Sequence, residues 1–194
     1  MLPLEMATRL KYPGKIEEAF LNYLKKSGAS INQSKTIASQ ILYHQKIIEG
    51  LNSVSFFTGT STDQDTNING GFVRPESEHF LIYAIRVSLA ERGVIPNTAD
   101  TVYSPGVLGS VVTDAFIVEK ANLSITVNSL RVLKNLPLTE FDGEETDDTI
   151  GMFLLDEPIL WQGQTELKAL IQSNDNIAFS ATNLRLEFFG IGLI

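Results

Sequence analysis

From Gly50 onward the chain repeats a two-residue alternation of apolar and polar positions, and only the first fifty residues break that rhythm. Alternation puts successive side chains on opposite faces of a strand, so a mainly β protein is expected. Before Gly50 the spacing is helical. In KIEEAFLNYLKKSG, Ile16, Ala19, Phe20, Tyr23 and Leu24 share one stripe, Glu17 and Glu18 come early, Lys25 and Lys26 late, and Gly28 supplies a stop. A second helix is expected from about Asn32 to Glu49, where Ile37, Ile41, Leu42 and Ile48 lie near one stripe, Ser34 can cap it and Gly50 ends it. Both stripes need burial on the same subunit or on a neighbour. The chain thus divides into a helical segment, residues 1–50, and a β domain, residues 51–194.

Within the β domain, SVSFFT (Ser53–Thr58) reads as a strand, and HFLIYAIRVSL (His79–Leu89) as one with Leu81, Tyr83, Ile85, Val87 and Leu89 on one face. Residues 93–109 read as a long proline- and glycine-rich loop with room for one short strand, and Thr113–Lys120 is expected to begin the next ladder. In NLSITVNSLRVLKNLP, Leu123, Ile125 and Val127 alternate with polar residues, Asn128-Ser129 makes a two-residue turn, and Leu130 and Val132 resume on the same face. That register pairs Val127 with Leu130 and Ile125 with Val132. Further short strands are expected at Ile150–Leu155, Ile159–Gln162, Gln164–Gln172, Ile177–Ala181 and Leu184–Ile194. Strands at intervals of roughly 8–12 residues with turn signals between them point to an antiparallel sandwich or barrel.

The closing LRLEFFGIGLI is the most apolar stretch. Leu186 and Phe188 continue one face, while Arg185 and Glu187 keep the other polar until Phe189, Ile191 and Leu193 take it over. Gly190 and Gly192 would admit another backbone or a bulky side chain close by. Such an end is a sticky edge unless it is paired or covered, so Phe188, Phe189, Ile191 and Leu193 are candidate oligomer contacts.

Composition narrows the chemistry. At 194 residues with 43% hydrophobic content the chain can build a substantial core, and with no cysteine it has no disulfide, thiolate metal site or cysteine nucleophile. No apolar run reaches the roughly 18 residues of a membrane span, and MLPLEMATRLKYPGK lacks the apolar core of a secretory signal, so a non-exported soluble chain is expected. The formal net charge of −8 argues against a general nucleic-acid binder. Its distribution is uneven: residues 1–50 carry seven Lys and Arg against four acids, and the rest is strongly acidic.

Candidate sites are few. Asp63, Asp65, Asn67 and Asn69 imitate the front half of a calcium loop, but Ile68 replaces the turn glycine and Arg74 the bidentate glutamate, so a solvated loop is favoured. Asp142, Glu144, Glu145, Asp147 and Asp148 form an acidic loop, again read as solvated. Only His44 and His79 could titrate near neutrality, and no HExxH, GxSxG, GxGxxG or phosphate-loop pattern occurs. No enzymatic activity and no cofactor are expected. A carbohydrate- or receptor-binding module is the alternative to a structural role, with Trp161 and the loop at 142–148 as its contact region.

Taken in order, the helical and mildly basic front, TNINGGFVRPESEHFLIYAIRVSL, ANLSITVNSLRVLKNLPLTEF and the closing NLRLEFFGIGLI resemble the jelly-roll capsid proteins of tailless icosahedral bacterial viruses, over most of residues 51–194. The resemblance implies a virion structural protein made in the host cytoplasm, a single eight-stranded jelly roll that self-assembles with copies of itself and other virion proteins. It further implies that the N-terminal segment, with Lys11, Lys15, Lys25 and Lys26, reaches a neighbouring subunit, the genome or an inner membrane. Double jelly-roll capsid proteins carry two sandwiches per chain, whereas this length accommodates one.

Overall fold

The computed structural model describes residues 16–29, 36–48, 50–58, 66–68, 73–90, 103–105, 120–141, 151–179 and 183–193. Helix α1 (Ile16–Ser27) precedes strands β1 (Ile37–Ile47), β2 (Ser53–Phe56), β3 (Phe80–Ala90), β4 (Tyr103–Pro105), β5 (Ala121–Val127), β6 (Leu130–Pro137), β7 (Met152–Trp161), β8 (Leu167–Ser173) and β9 (Asn183–Leu193). One sheet runs β1-β9-β3, with β4 and β7 both pairing β3, and the other runs β2-β8-β5-β6. Every pairing is antiparallel. The protein is therefore mainly β, two antiparallel sheets arranged as a sandwich, with a helix in front.

The pairings are nested. Leaving aside the three-residue β4, the first strand pairs with the last (β1 with β9), the second with the second-last (β2 with β8), the third with the third-last (β3 with β7), and β5 with β6 as a hairpin. Contacts of β9 with β3 and of β8 with β5 then join these ribbons into two sheets.

Between the sheets lies the main core, which includes Leu42, Val54, Phe56, Phe57, Phe80, Ile82, Ile85, Val87, Leu123, Ile125, Trp161, Leu167, Ile171, Leu186 and Phe188. A second apolar cluster forms on the outer face of the larger sheet, where Phe20 and Leu24 of α1 pack with Leu81, Tyr83, Ala84, Phe189, Ile191 and Leu193. Full burial of Phe20 and Leu24 contributes about 1.5–3 kcal/mol each. The helix ends as its sequence predicts. Gly28 takes a positive φ of 68°, its N–H donates to Lys25 O (3.2 Å), and Ala29 N–H donates to Leu24 O (3.1 Å), the paired bonds of a glycine-terminated helix.

The second expected helix is instead strand β1. Its eleven residues pair in unbroken register with β9, from Ile37 opposite Leu193 to Ile47 opposite Asn183. The spacing of Ile37, Ile41, Leu42 and Ile48 fits a helical stripe, but as a strand it sends Leu42 to the main core and Ile37 and Ile41 to the helix-covered face. Tertiary pairing overrides local periodicity here, and β1 belongs to the sandwich rather than to a helical segment.

Bulges account for the other departures. At Tyr83 the register of β3 shifts against both neighbours, so Phe80 and Ile82 before it and Ile85 and Val87 after it all face the main core. The expected single face through Leu81 and Tyr83 to Ile85 is thereby split. Opposite Tyr83, β7 carries residues 155–158 unpaired, including Pro158, which cannot donate to a ladder, so two expected strands become one. The β5–β6 hairpin turns at Asn128 and Ser129, both at positive φ, and pairs Val127 with Leu130 as expected. Its second expected pair does not form: Ile125 lies opposite Leu133, Val132 is the extra residue of a bulge, and Leu130 and Val132 are exposed. Of the strand expected at Ile177–Ala181, Ser180 and Ala181 lie outside the described residues, and residues 177–179 are not in a strand; there Phe179 N–H donates to Leu51 O at 2.6 Å. Of the ladder expected at Thr113–Lys120, all but Lys120 lies outside the described residues.

Gly190 tests how tightly β9 is held. A Cβ there would lie 2.4 Å from Leu81 O and 2.5 Å from Phe80 Cζ, whereas at Gly192 the nearest atoms are 3.1 Å away and one belongs to the flexible Gln40 side chain. Gly190→Ala is therefore expected to destabilise by about 2–3 kcal/mol, and Gly192→Ala by clearly less, in urea unfolding. Deletion of Phe189–Ile194 is expected to abolish the cooperative unfolding transition altogether.

Candidate functional site

A cleft of about 480 Å³ opens beside the outer edge of β1, lined by Gln40, Ile41, Leu42, Asn67, Ile68, Arg74, Pro75 and Glu78. Two short segments build it. Residues 66–68 dock on β1 by imitating a strand: Tyr43 N–H donates to Asn67 Oδ1 (2.8 Å), Asn67 Nδ2 donates to Ile41 O (2.7 Å), and Thr66 Oγ1 donates to Tyr43 O (2.6 Å). Asn67 thus occupies backbone groups that an edge strand would otherwise leave open, and Ile68 beside it is buried.

The second segment, residues 73–79, is clamped to the turn after β7. Gln164 N–H donates to Arg74 O at 2.8 Å, and Gly163 N–H donates to His79 Nδ1 at 3.0 Å. The approach at Gly163 is so close that a Cβ there would lie 2.3 Å from Pro75 O. This clamp fixes Arg74, whose side chain is only 7% exposed. Its guanidinium lies 5.6 Å from the ring centroids of both Phe80 and Trp161 and 3.5 Å from Glu78 Oε2. Burial pulls the Arg74 pKa below the ordinary guanidinium range, and the Glu78 carboxylate opposes that pull. The group stays cationic at physiological pH, and its Nε has no hydrogen-bond partner.

A second polar cluster occupies the part of the outer face that α1 does not cover. Glu187, 5% exposed, accepts from Arg86 Nε through one carboxylate oxygen and meets Arg185 at 3.2 Å through the other. Arg185 also lies 3.9 Å from the Tyr43 ring centroid and Arg86 5.0 Å from that of Phe189. A nearly buried carboxylate gripped by two guanidinium groups is a structural fastening across β9 and β3. In the helix-covered cluster, the Tyr83 hydroxyl is buried without a hydrogen-bond partner, and burial pushes its phenol pKa well up.

The residues singled out from sequence fall as follows. Phe188, Phe189, Ile191 and Leu193 are buried inside this chain, since β9 is a central strand with both faces covered, so they are not an exposed contact strip. Trp161 is 0% exposed and its Nε1 donates to Thr165 O at 2.9 Å. It is a core residue and offers no platform to a sugar. His44 is buried and its Nδ1 accepts from Phe57 N–H at 2.7 Å, between the edges of Phe56 and Phe57; the structure does not bring it together with His79. Lys25 and Lys26 are exposed on the last turn of α1. Lys11, Lys15, the acidic loop at 142–148, Asp63, Asp65 and Asn69 lie outside the described residues. Among the described residues, no group of three or more His, Cys, Asp or Glu is placed to hold a metal ion, and no helix is long and apolar enough to cross a membrane. Arg74, which the sequence shows only as the residue that breaks the calcium-loop pattern, is the one whose place in a cleft sequence reasoning missed; its local signal is a cation followed by proline.

Comparison with known proteins returned no matching family model and no similar curated protein.

Two substitutions test these assignments. Trp161→Ala is expected to destabilise by about 3–5 kcal/mol through loss of core packing, read as a fall in thermal midpoint. Tyr83→Phe removes an unsatisfied buried hydroxyl and is expected to stabilise by about 1 kcal/mol at pH 7. Because the folded phenol pKa is raised, the unfolded chain ionises first as pH passes about 10, so stability falls with rising pH there. The Tyr83→Phe variant should show a flatter loss of stability between pH 9 and about 11 in thermal melts.

Proposed function

We propose that the sandwich is a single jelly roll and that the chain is a virion structural protein, a shell subunit that self-assembles with its own copies and with other virion proteins. The observation that supports the jelly roll is the nested pairing of β1 with β9, β2 with β8, β3 with β7 and β5 with β6. A long antiparallel ribbon pairs first with last strand in this way, and wrapping it into a barrel brings β9 beside β3 and β8 beside β5. Jelly rolls serve as shell subunits, as lectins and as cupins. Burial of Trp161 removes the main support for the carbohydrate reading. The engagement of both histidines by backbone N–H groups favours a structural role over a catalytic one. The sequence resemblance to jelly-roll capsid proteins points the same way, and on this reading the chain resides in the virion after synthesis in the host cytoplasm.

Assembly in this reading uses the rims of the sandwich, since the apolar end of β9 is internal. The edge strand β6 carries two apolar side chains facing solvent, Leu130 at 69% and Val132 at 39% exposure, beside Arg131 and Lys134. Lys25 and Lys26 are turned to solvent on α1, where they can meet an acidic neighbour or the genome. The purified chain is expected to form concentration-dependent oligomers in sedimentation and rings or shells in the electron microscope. Leu130→Lys combined with Val132→Thr should lower the oligomer mass while leaving the circular dichroism spectrum unchanged. A monodisperse monomer at high concentration overturns the proposal.

A further inference from the structure

The cleft beside β1 contains a cation whose hydrogen-bonding capacity is underused. Arg74 presents a planar fork of five N–H donors, yet its ion pair is one 3.5 Å contact to Glu78, a residue 28% exposed, and its Nε is unpartnered. The rings of Phe80 and Trp161 hold the guanidinium in place but supply no in-plane acceptors. A buried donor left in this state is costly, and the remaining donors of the fork are the ones a ligand in the cleft can meet. The site is already ordered: Asn67 is tied to β1, residues 73–79 are tied to the turn after β7, and Arg74 is fixed between two rings. Binding there loses little further conformational freedom.

The shape of the cleft narrows the ligand. Leu42, Ile68 and Pro75 give it an apolar side, Arg74, Glu78 and the Gln40 amide a polar one, and its volume of about 480 Å³ is that of a small-molecule site rather than an ion site. We propose that this cleft binds a small carboxylate with a short apolar body, Arg74 engaging the carboxylate through two parallel N–H bonds and the apolar wall receiving the body. A planar carboxylate matches the fork of a guanidinium. An inorganic anion would gain nothing from the wall, and a neutral alcohol would leave the cation as it is. Glu78 competes for the same guanidinium and repels an incoming anion.

The test uses the full chain and hexanoate as probe, with hexan-1-ol and inorganic phosphate as matched controls, followed by titration calorimetry and by the Arg side-chain Nε–H signals in NMR. Hexanoate is expected to bind saturably at one site and to shift one Arg Nε–H signal, with both controls weaker by about tenfold or more, the ratio that one charge-assisted hydrogen bond supplies. Glu78→Gln is expected to tighten hexanoate severalfold, and Arg74→Lys, which keeps the charge but not the fork, to weaken it about tenfold. If Arg74→Lys fails to fold, the Glu78→Gln comparison decides. Absence of saturation, equal binding of hexanoate and hexanol, or an unchanged affinity in Glu78→Gln overturns the proposal.

Discussion

The structure depends on a single strand being buried on every side. β9 has β1 on one edge, β3 on the other, the inter-sheet core against Leu184, Leu186 and Phe188, and the helix-covered cluster against Phe189, Ile191 and Leu193. Of its eleven residues only Arg185 keeps appreciable contact with water. A strand with two apolar faces cannot lie at an edge, because unpaired backbone groups beside so much apolar surface would template aggregation. The identities of its neighbours follow from that constraint. Segment 37–47 is extended because β9 requires a partner along its whole length, and α1 docks where it does because the second face of β9 turns apolar only beyond Glu187. Gly190 and Gly192 complete the arrangement by letting the Phe80 ring lie across the strand.

That same strand shows how much of the fold could be read from sequence. The switch of its outer face from Arg185 and Glu187 to Phe189, Ile191 and Leu193 is visible as simple alternation, and so are the glycines that admit a bulky neighbour. The Gly28 stop and the Asn128-Ser129 turn were equally legible, because each is a local conformational requirement met by one or two residues. What alternation cannot reveal is the partner. The apolar end looked like a surface for another subunit, and the covering elements turned out to be β1 and α1 of the same chain. Segment 37–47 is ambiguous for the complementary reason: Ile37, Ile41 and Leu42 satisfy a helical and an extended pattern alike, and only the pairing with β9 separates them. Bulges at Tyr83 and Val132 were invisible because a one-residue insertion leaves no mark on composition yet exchanges the two faces.

Charge placement follows from the same geometry. The outer face of the larger sheet is longer than the helix that covers it, and beyond the reach of Phe20 and Leu24 the face is closed by Arg86, Glu187 and Arg185 instead. Glu187 is stabilised there by two guanidinium groups that lie over the Phe189 and Tyr43 rings, so removing either arginine would leave a nearly buried carboxylate poorly compensated. Arg74 differs in kind. Its rings satisfy its shape but not its donors, and its carboxylate partner is long and partly in water. Arg74, Arg86 and Arg185 thus divide into two that fasten strands together and one that faces a cleft.

Enclosing β9 also has a consequence for how copies of the chain can meet. Once the most apolar segment is internal, β6, one of the two edge strands of the smaller sheet, is the edge that carries exposed apolar side chains among the described residues, and its sequence manages that edge unevenly. Two bulges, Asn135 at positive φ and a terminal Pro137 interrupt the ladder, the devices by which edges resist indiscriminate pairing. Arg131 and Lys134 add charge. Against these, Leu130 and Val132 remain exposed, and Val132 is exposed because a bulge turns it away from the core. An edge that is broken for backbone pairing but apolar in its side chains disfavours open-ended sheet extension and favours side-chain docking of limited extent, the kind of contact that the proposed self-assembly would use.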